Sequence, residues 1–380
     1  MRTEALCQDG TDAALHRRRT EGECMYGSHD GRRGVRTGRR TGRRTGRRTG
    51  LGRAGAVAAA GAVLLLAGCT SGPGPGPGPA RGAAGRSPGG ERYWVNPDGN
   101  AARQAAAYTR DGDGAGAALI ERIARQPVGE WIGPDTPEAE AKGLTEAAAK
   151  AGREALLVLY NIPHRDCGQF SRGGAADGNA YRTWLEGVAR GIGDRRATVI
   201  LEPDALLHMV DGCTPQEFHE ERYDLLKGAV ERLGRQPGVR VYVDAGNAGW
   251  RTPDALFRPL RRAGIGAADG FAVNVSNFQT TRASTEFGKR LSAKVGGKPF
   301  VIDTSRNGNG PYRGGAPGEN WCNPPGRALG DPPTTDTGDA LVDAHLWIKR
   351  PGESDGDCRG GPKAGAWWPE YALGLARAAK

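Results

Sequence analysis

From residue 93 onward, short apolar runs rich in β-branched and aromatic residues recur between longer amphipathic segments, about 30 to 45 residues apart. This alternation is the pattern of βα repetition around a parallel sheet. Strands are expected at 130–132, 156–160, 198–202, 239–244, 271–275, 300–303 and 345–348, with helical stretches such as 137–151, 180–192, 215–233 and 253–263 between them. Several of these helices are opened by Pro or preceded by Thr, as helix starts prefer. Seven strands is close to a barrel number, so the chain is expected to be α/β, with the strands rolled toward a barrel. Asp166, Glu202 with Asp204, Asp244, Asn274, Asp303 and Lys349 all fall at or just after the C-terminal ends of these strands. In βα barrels that rim is where active sites are built.

The net charge of +10 suggests a nucleic-acid partner until its location is considered. Fourteen arginines against six acidic residues lie in 1–53, many in Arg-Arg-Thr-Gly repeats, and the rest of the chain is close to balance. Basic charge upstream of an apolar run marks a leader rather than a phosphate-binding face, so no nucleic-acid binding is expected. The apolar run, 55–68, is about 14 residues long, too short to span a bilayer comfortably and typical of a signal-peptide core. It ends in Leu66-Ala67-Gly68-Cys69, which resembles the bacterial lipobox and would make Cys69 a lipidated mature N-terminus. A plain secretory signal with an incidental cysteine is the alternative, and the route, general secretory or twin-arginine, stays open. The expected divisions are a basic leader and signal peptide at 1–68, a Gly/Pro-rich tether at 69–91, and a folded body at 92–380. The body keeps Cys167, Cys213, Cys322 and Cys358. In an exported protein four cysteines suggest two disulfides; three pairings are possible, and nearness in the chain favours 167 with 213 and 322 with 358. No Cys or His pair has zinc-site spacing, so no metal is expected.

Four segments carry chemistry. In Glu202-Pro203-Asp204 the proline stiffens a strand-end turn and places Asp204 over the barrel mouth. Acidic and apolar neighbours would raise its pKa and let it act as a general acid, though read alone it also fits a helix cap. Arg165-Asp166-Cys167 sets a second acid beside a cation and a half-cystine, with a structural Arg–Asp pair as the bland alternative. Asp244-Ala-Gly-Asn247-Ala-Gly-Trp250 joins a third acid to small residues and an indole suited to the apolar face of a sugar ring. The run Lys349-Arg350-Pro351-Gly352-Glu353-Ser354-Asp355 packs a cation and acids into a loop near Cys358, suited to hydroxyl recognition and a base. A solvated acidic loop or a calcium site is its alternative, although EF-hand spacing is missing. There is no G-x-S-x-G elbow and no P-loop, so triad hydrolysis and nucleotide use are not indicated.

Together the ordered runs 160–167, 200–206, 242–250, 272–277, 300–308, 320–323 and 343–356 resemble glycoside hydrolase family 6, the inverting cellulases. The resemblance extends from about Tyr93 to the C-terminus and implies a distorted seven-stranded parallel (β/α) barrel, TIM-like. It implies Asp204 as proton donor, Asp166 as the acid governing its protonation, and Asp355 as the base, acting directly or through a water chain. Tyr160 resembles the tyrosine that pushes the sugar at the cleavage point out of its chair, while Lys349 and Glu353 resemble the pair binding the ring beside it. Trp94, Trp131, Asp244, Asn247, Trp250, Asn274 and Trp321 complete the expected substrate-binding set, with core packing the alternative for any single tryptophan. Asn247 stands where the family usually has His, and His164 replaces a more usual Asn or Asp. The stretches after Cys167 and between Cys322 and Cys358 are short, which implies an open cleft.

The expectation is therefore an exported endo-β-1,4-glucanase, inverting, monomeric and needing no cofactor, acting on β-1,4-glucan or cello-oligosaccharides. It would meet a membrane only through a lipid anchor at Cys69, or else be secreted. A cell-surface glucan-binding lipoprotein with weakened catalysis, and an exo-acting cellobiohydrolase, remain as alternatives.

Overall fold

Alternate residues of each strand face two different apolar environments in the computed structural model, which describes residues 92–315 and 317–380. The expected leader, Cys69 and tether lie outside the described residues. Leu157, Leu159, Val199, Leu201, Val241 and Val243 face surrounding helices, while Leu156, Val158, Ile200 and Tyr242 face inward. Because both faces are buried, the strands read as nearly continuous apolar runs rather than as alternating patterns.

The strands are β1 Glu130–Ile132, β2 Ala155–Leu159, β3 Ala197–Leu201, β4 Val239–Asp244, β5 Gly270–Val273, β6 Phe300–Asp303 and β7 Val342–Leu346. All pair in parallel, in chain order. The helices are α1 Asn100–Arg110, α2 Gly114–Ala124, α3 Pro137–Lys150, α4 Gly178–Ile192, α5 Ala205–Val210, α6 His219–Gly234, α7 Pro253–Arg262, α8 Thr281–Lys294 and α9 Pro369–Ala378. Proline opens α3, α7 and α9, where its missing N–H costs nothing. The side chains of Asp113, Asp177 and Thr280 cap α2, α4 and α8.

Strands β1, β4 and β6 have the expected bounds, and β2, β3 and β5 lie within two residues of them. Strand β7 starts three residues before the expected 345 and ends at Leu346. Its Asp343 and His345 are only half-buried, so the strand alternates polar and apolar residues and the apolar run after it drew the expectation downstream. The start of the expected helix 215–233 is a short 3-10 turn, Gln216–Phe218, ahead of α6.

The barrel closes imperfectly. Strands β1 and β7 share no ladder; they meet at one bridge, Val128 with Trp347, where the Gly129 N–H donates to Trp347 O at 2.8 Å. A Cβ on Gly129 would lie 2.4 Å from Ile348 O, so only glycine permits this approach. Arg350 reinforces the seam by donating to Gly129 O at 2.9 Å and to Glu130 at 2.8 Å. Helices α1, α2 and α9 cover it with a separate cluster containing Ile120, Ile123, Trp347 and Leu375. The result is a distorted seven-stranded α/β barrel.

Candidate active site

Among the described residues nine non-glycine positions have positive φ: His164, Asp166, Cys167, Glu202, Asp204, Asn274, Ser276, Asn323 and Arg359. All nine lie in segments beyond the C-terminal ends of β2, β3, β5, β6 and β7. L-residues adopt this conformation at a cost, and surrounding bonds must hold them there. Buried carboxyl groups do much of the holding. Glu202 accepts the N–H groups of Asn161 and Ile162 at 2.9 to 3.1 Å. Asp244 accepts those of Asp204 at 2.9 Å and Gly246 at 3.2 Å. Asp303 accepts from Ser276 at 2.9 Å, Ser305 at 2.9 Å and Lys349 at 3.0 Å. With 1 % exposure or less, all three carboxyl groups are beneath the rim rather than on it. Burial raises the pKa of each, Glu202 to about 7.

Asp204 and Asp166 come together above this layer. Burial, followed by the charges of Asp244, Asp166 and Asp211, holds the Asp204 carboxyl well above the usual carboxylate range. Burial also raises Asp166, opposed by the Ser171 N–H, which it accepts at 2.5 Å, and by Arg165. Tyr160 lies within the electrostatic reach of both acids, and they add to the burial that raises its phenol. The Arg165 guanidinium covers its ring at 4.7 Å, and Trp131 meets it edge-on at 5.6 Å. The Cys167–Cys213 disulfide pins the Asp166 segment to the loop after α5, with Cα atoms 5.8 Å apart. Among the described residues one His/Cys group comes within metal-ligating distance, His208 with Cys167 and Cys213, but its sulfurs are bonded to each other.

Asp355 stands on the β7 side. Its Oδ2 accepts from Arg306 at 2.9 Å and from the Asn323 N–H at 3.0 Å, and Lys349 Nζ lies 3.6 Å from Oδ1. Lys349 also donates to Ser354 O at 3.2 Å, and Glu353 accepts from Arg350 at 3.0 Å and Asn100 at 3.1 Å. The Cys322–Cys358 disulfide closes this segment. Phe170, four residues after Asp166, joins the two sides. Its ring lies 6.0 Å from that of Trp321, and it occupies the space a Cβ on Gly356 would need.

Other expected site residues are placed differently. Trp94 sits at the opposite end of the barrel: its N–H donates to Glu154 O at 2.9 Å, immediately before β2, and its ring packs on the core. The sugar platform expected there gives way to core packing. Asp244 is a support beneath Asp204 rather than a sugar contact. Asn274 is fully buried, donating to Asp303 O at 2.8 Å and Gln279 O at 3.1 Å, which corrects its reading as a substrate ligand. Asn247 is buried in a turn and accepts the Gly249 N–H at 2.9 Å. Trp250 is partly exposed, held by Asp211 at 3.0 Å and packed on the edge of His208. Sequence reasoning passed over Arg306 and Phe170; the only trace of Arg306 was a charge at the end of a buried strand.

Similarity to known proteins agrees with this arrangement. The family model described as Glycosyl hydrolases family 6 matches residues 89–379. Endoglucanase A from Cellulomonas fimi is 47% identical over 267 residues, covering 69% of this chain and 57% of its own length. Endoglucanase 1 from Streptomyces halstedii is 43% identical over 291 residues, covering 74% of this chain and 87% of its own. The structure of the endoglucanase Cel6 from Mycobacterium tuberculosis, in complex with methyl-cellobiosyl-4-deoxy-4-thio-β-D-cellobioside, matches with a TM-score of 0.72 and 44% identity, covering 79% of this chain and 99% of that one.

Proposed function

The chain belongs to glycosyl hydrolase family 6, and from that premise we propose that it hydrolyses internal β-1,4-glucosidic bonds of cellulose or a related β-glucan with inversion. The carboxyl of Asp204 carries this reading: at the strand-end rim, burial and three neighbouring acids raise its pKa well above the usual carboxylate range, which favours the protonated form a general acid needs. Asp204 donates its proton to the glycosidic oxygen as the C–O bond breaks. A water attacks the anomeric carbon from the opposite face and yields its proton to Asp355, directly or through a second water. Inversion requires about 6.5–9.5 Å between acid and base to admit that water. Asp166 supports the protonated state of Asp204 through its charge. Tyr160, braced by Trp131, borders the sugar at the cleavage point, and Lys349 with Glu353 binds its neighbour. Trp250 and Trp321 offer stacking faces further along the cleft.

Endo action is supported by the endoglucanase names of relatives at 43% and 47% identity, and by the short segments between the half-cystines. Export is supported by the two disulfides of the body, and anchoring by the lipobox-like run before Cys69. The decisive assay compares wild type and Asp204→Asn on cello-oligosaccharides and carboxymethylcellulose. Turnover is expected to fall about 10²–10⁴-fold while oligosaccharide binding persists. Fresh wild-type product should be the α anomer. Unaltered turnover in the variant, or a β-anomeric product, would overturn the reading.

A further inference from the structure

Arg222, on α6, is 2 % exposed, yet among the described residues its guanidinium has no carboxylate within bonding distance and is spent on oxygens of three rim segments. Nη2 donates to Pro163 O at 2.7 Å and His164 O at 3.0 Å, in the segment that leads to Asp166. Nη1 donates to Ala205 O at 3.2 Å, the residue after Asp204, and to Thr214 Oγ1 at 2.8 Å, the residue after Cys213. A buried cation is costly to desolvate, and burial lowers the pKa of this one. A purely apolar core position would not retain it.

We propose that Arg222 is the positioning residue that sets Asp166 against Asp204. The two acids sit on separate βα loops, and each of their backbones is strained, with φ of 55° at Asp166 and 66° at Asp204. Glu202 grips the N–H groups of residues 161 and 162, and Arg222 grips the C=O groups of residues 163 and 164. The Asp166 loop is thus held on both polar sides of its backbone. One planar fork spans that loop and the start of α5, adding a second tie to the one Glu202 makes between the same two loops. The stacking of His164 on Phe218 at 3.9 Å and the Cys167–Cys213 bond join the same segments but do not reach residue 205.

The inference rests on the function proposed above, and its test keeps the two separable. Arg222→Met removes the donors at similar volume, and Arg222→Lys keeps the charge but cannot span four acceptors. Arg240→Met serves as a control, since Arg240 is a shielded arginine bonded to Glu154 and Thr198 at the closed end of the barrel. Expected are a roughly 10²-fold fall in kcat on cello-oligosaccharides for Arg222→Met with KM changed less than about threefold, a loss of about 10-fold for Arg222→Lys, and wild-type kcat for Arg240→Met below its melting temperature. Amide exchange in residues 161–167 of Arg222→Lys should quicken while β3 is unchanged, a readout that stands even where no glucan is cleaved. Wild-type kcat in either folded Arg222 variant, an equal loss in Arg240→Met, or unchanged exchange would overturn the assignment. Should Arg222→Met not fold, Arg222→Lys decides.

Discussion

Acids of one chemical type take opposite duties at this rim because of what surrounds each carboxyl. Glu202, Asp244 and Asp303 are buried and bonded to backbone N–H groups, while Asp204 shares its surroundings chiefly with other acids. Asp244 does two things to Asp204: one oxygen fixes its backbone, and its charge opposes ionisation. Asp244→Asn keeps an oxygen for the Asp204 N–H and removes the charge. Asp204 then loses its proton more readily, so its pKa falls toward the ordinary value. Activity needs the protonated acid, and the alkaline limb of kcat/KM against pH should therefore move to lower pH on neutral cello-oligosaccharides. A limb that stays in place, or moves up, would show that Asp244 acts through geometry alone.

At the level of elements, the loops carry the candidate acids and the disulfides hold the loops. Cys167 adjoins Asp166 and ties it to the segment after α5, so its loss should affect stability and turnover together. The double variant Cys167→Ser, Cys213→Ser is expected to lose about 2–4 kcal/mol of stability. Its kcat should fall by more than its KM rises, because the strained backbone of residues 164 to 167 loses a covalent restraint. Thermal unfolding and steady-state kinetics measured side by side check both parts. Full kcat in the double variant would mean that Arg222 and Glu202 suffice to place Asp166.

At the scale of the molecule, the proposed anchoring turns on Cys69. Cys69→Ala is expected to release the protein from the membrane fraction into the medium, and the N-terminal peptide of the wild type should carry a lipid mass on Cys69. An unmodified mature N-terminus at another residue would make the protein simply secreted.

The succession of strands and the rim were legible in the residues themselves. Strand and helix periods are local properties, and a strand-end acid keeps its rim position wherever the loops go. The three-residue displacement of β7 marks where local pattern misleads, at a half-buried edge strand. Asp244, Asn274 and Trp94 mark where it is silent. Whether a polar side chain at a strand end points into the cleft or down into the backbone beneath depends on neighbours distant in the chain. Asp204 accordingly entered as a strand-end acid in a Glu-Pro-Asp turn, which short-range chemistry alone could specify. That its carboxyl pKa is raised, beside Asp166 and above Asp244, was decided by tertiary structure, because burial and charge proximity act through space between three separate loops.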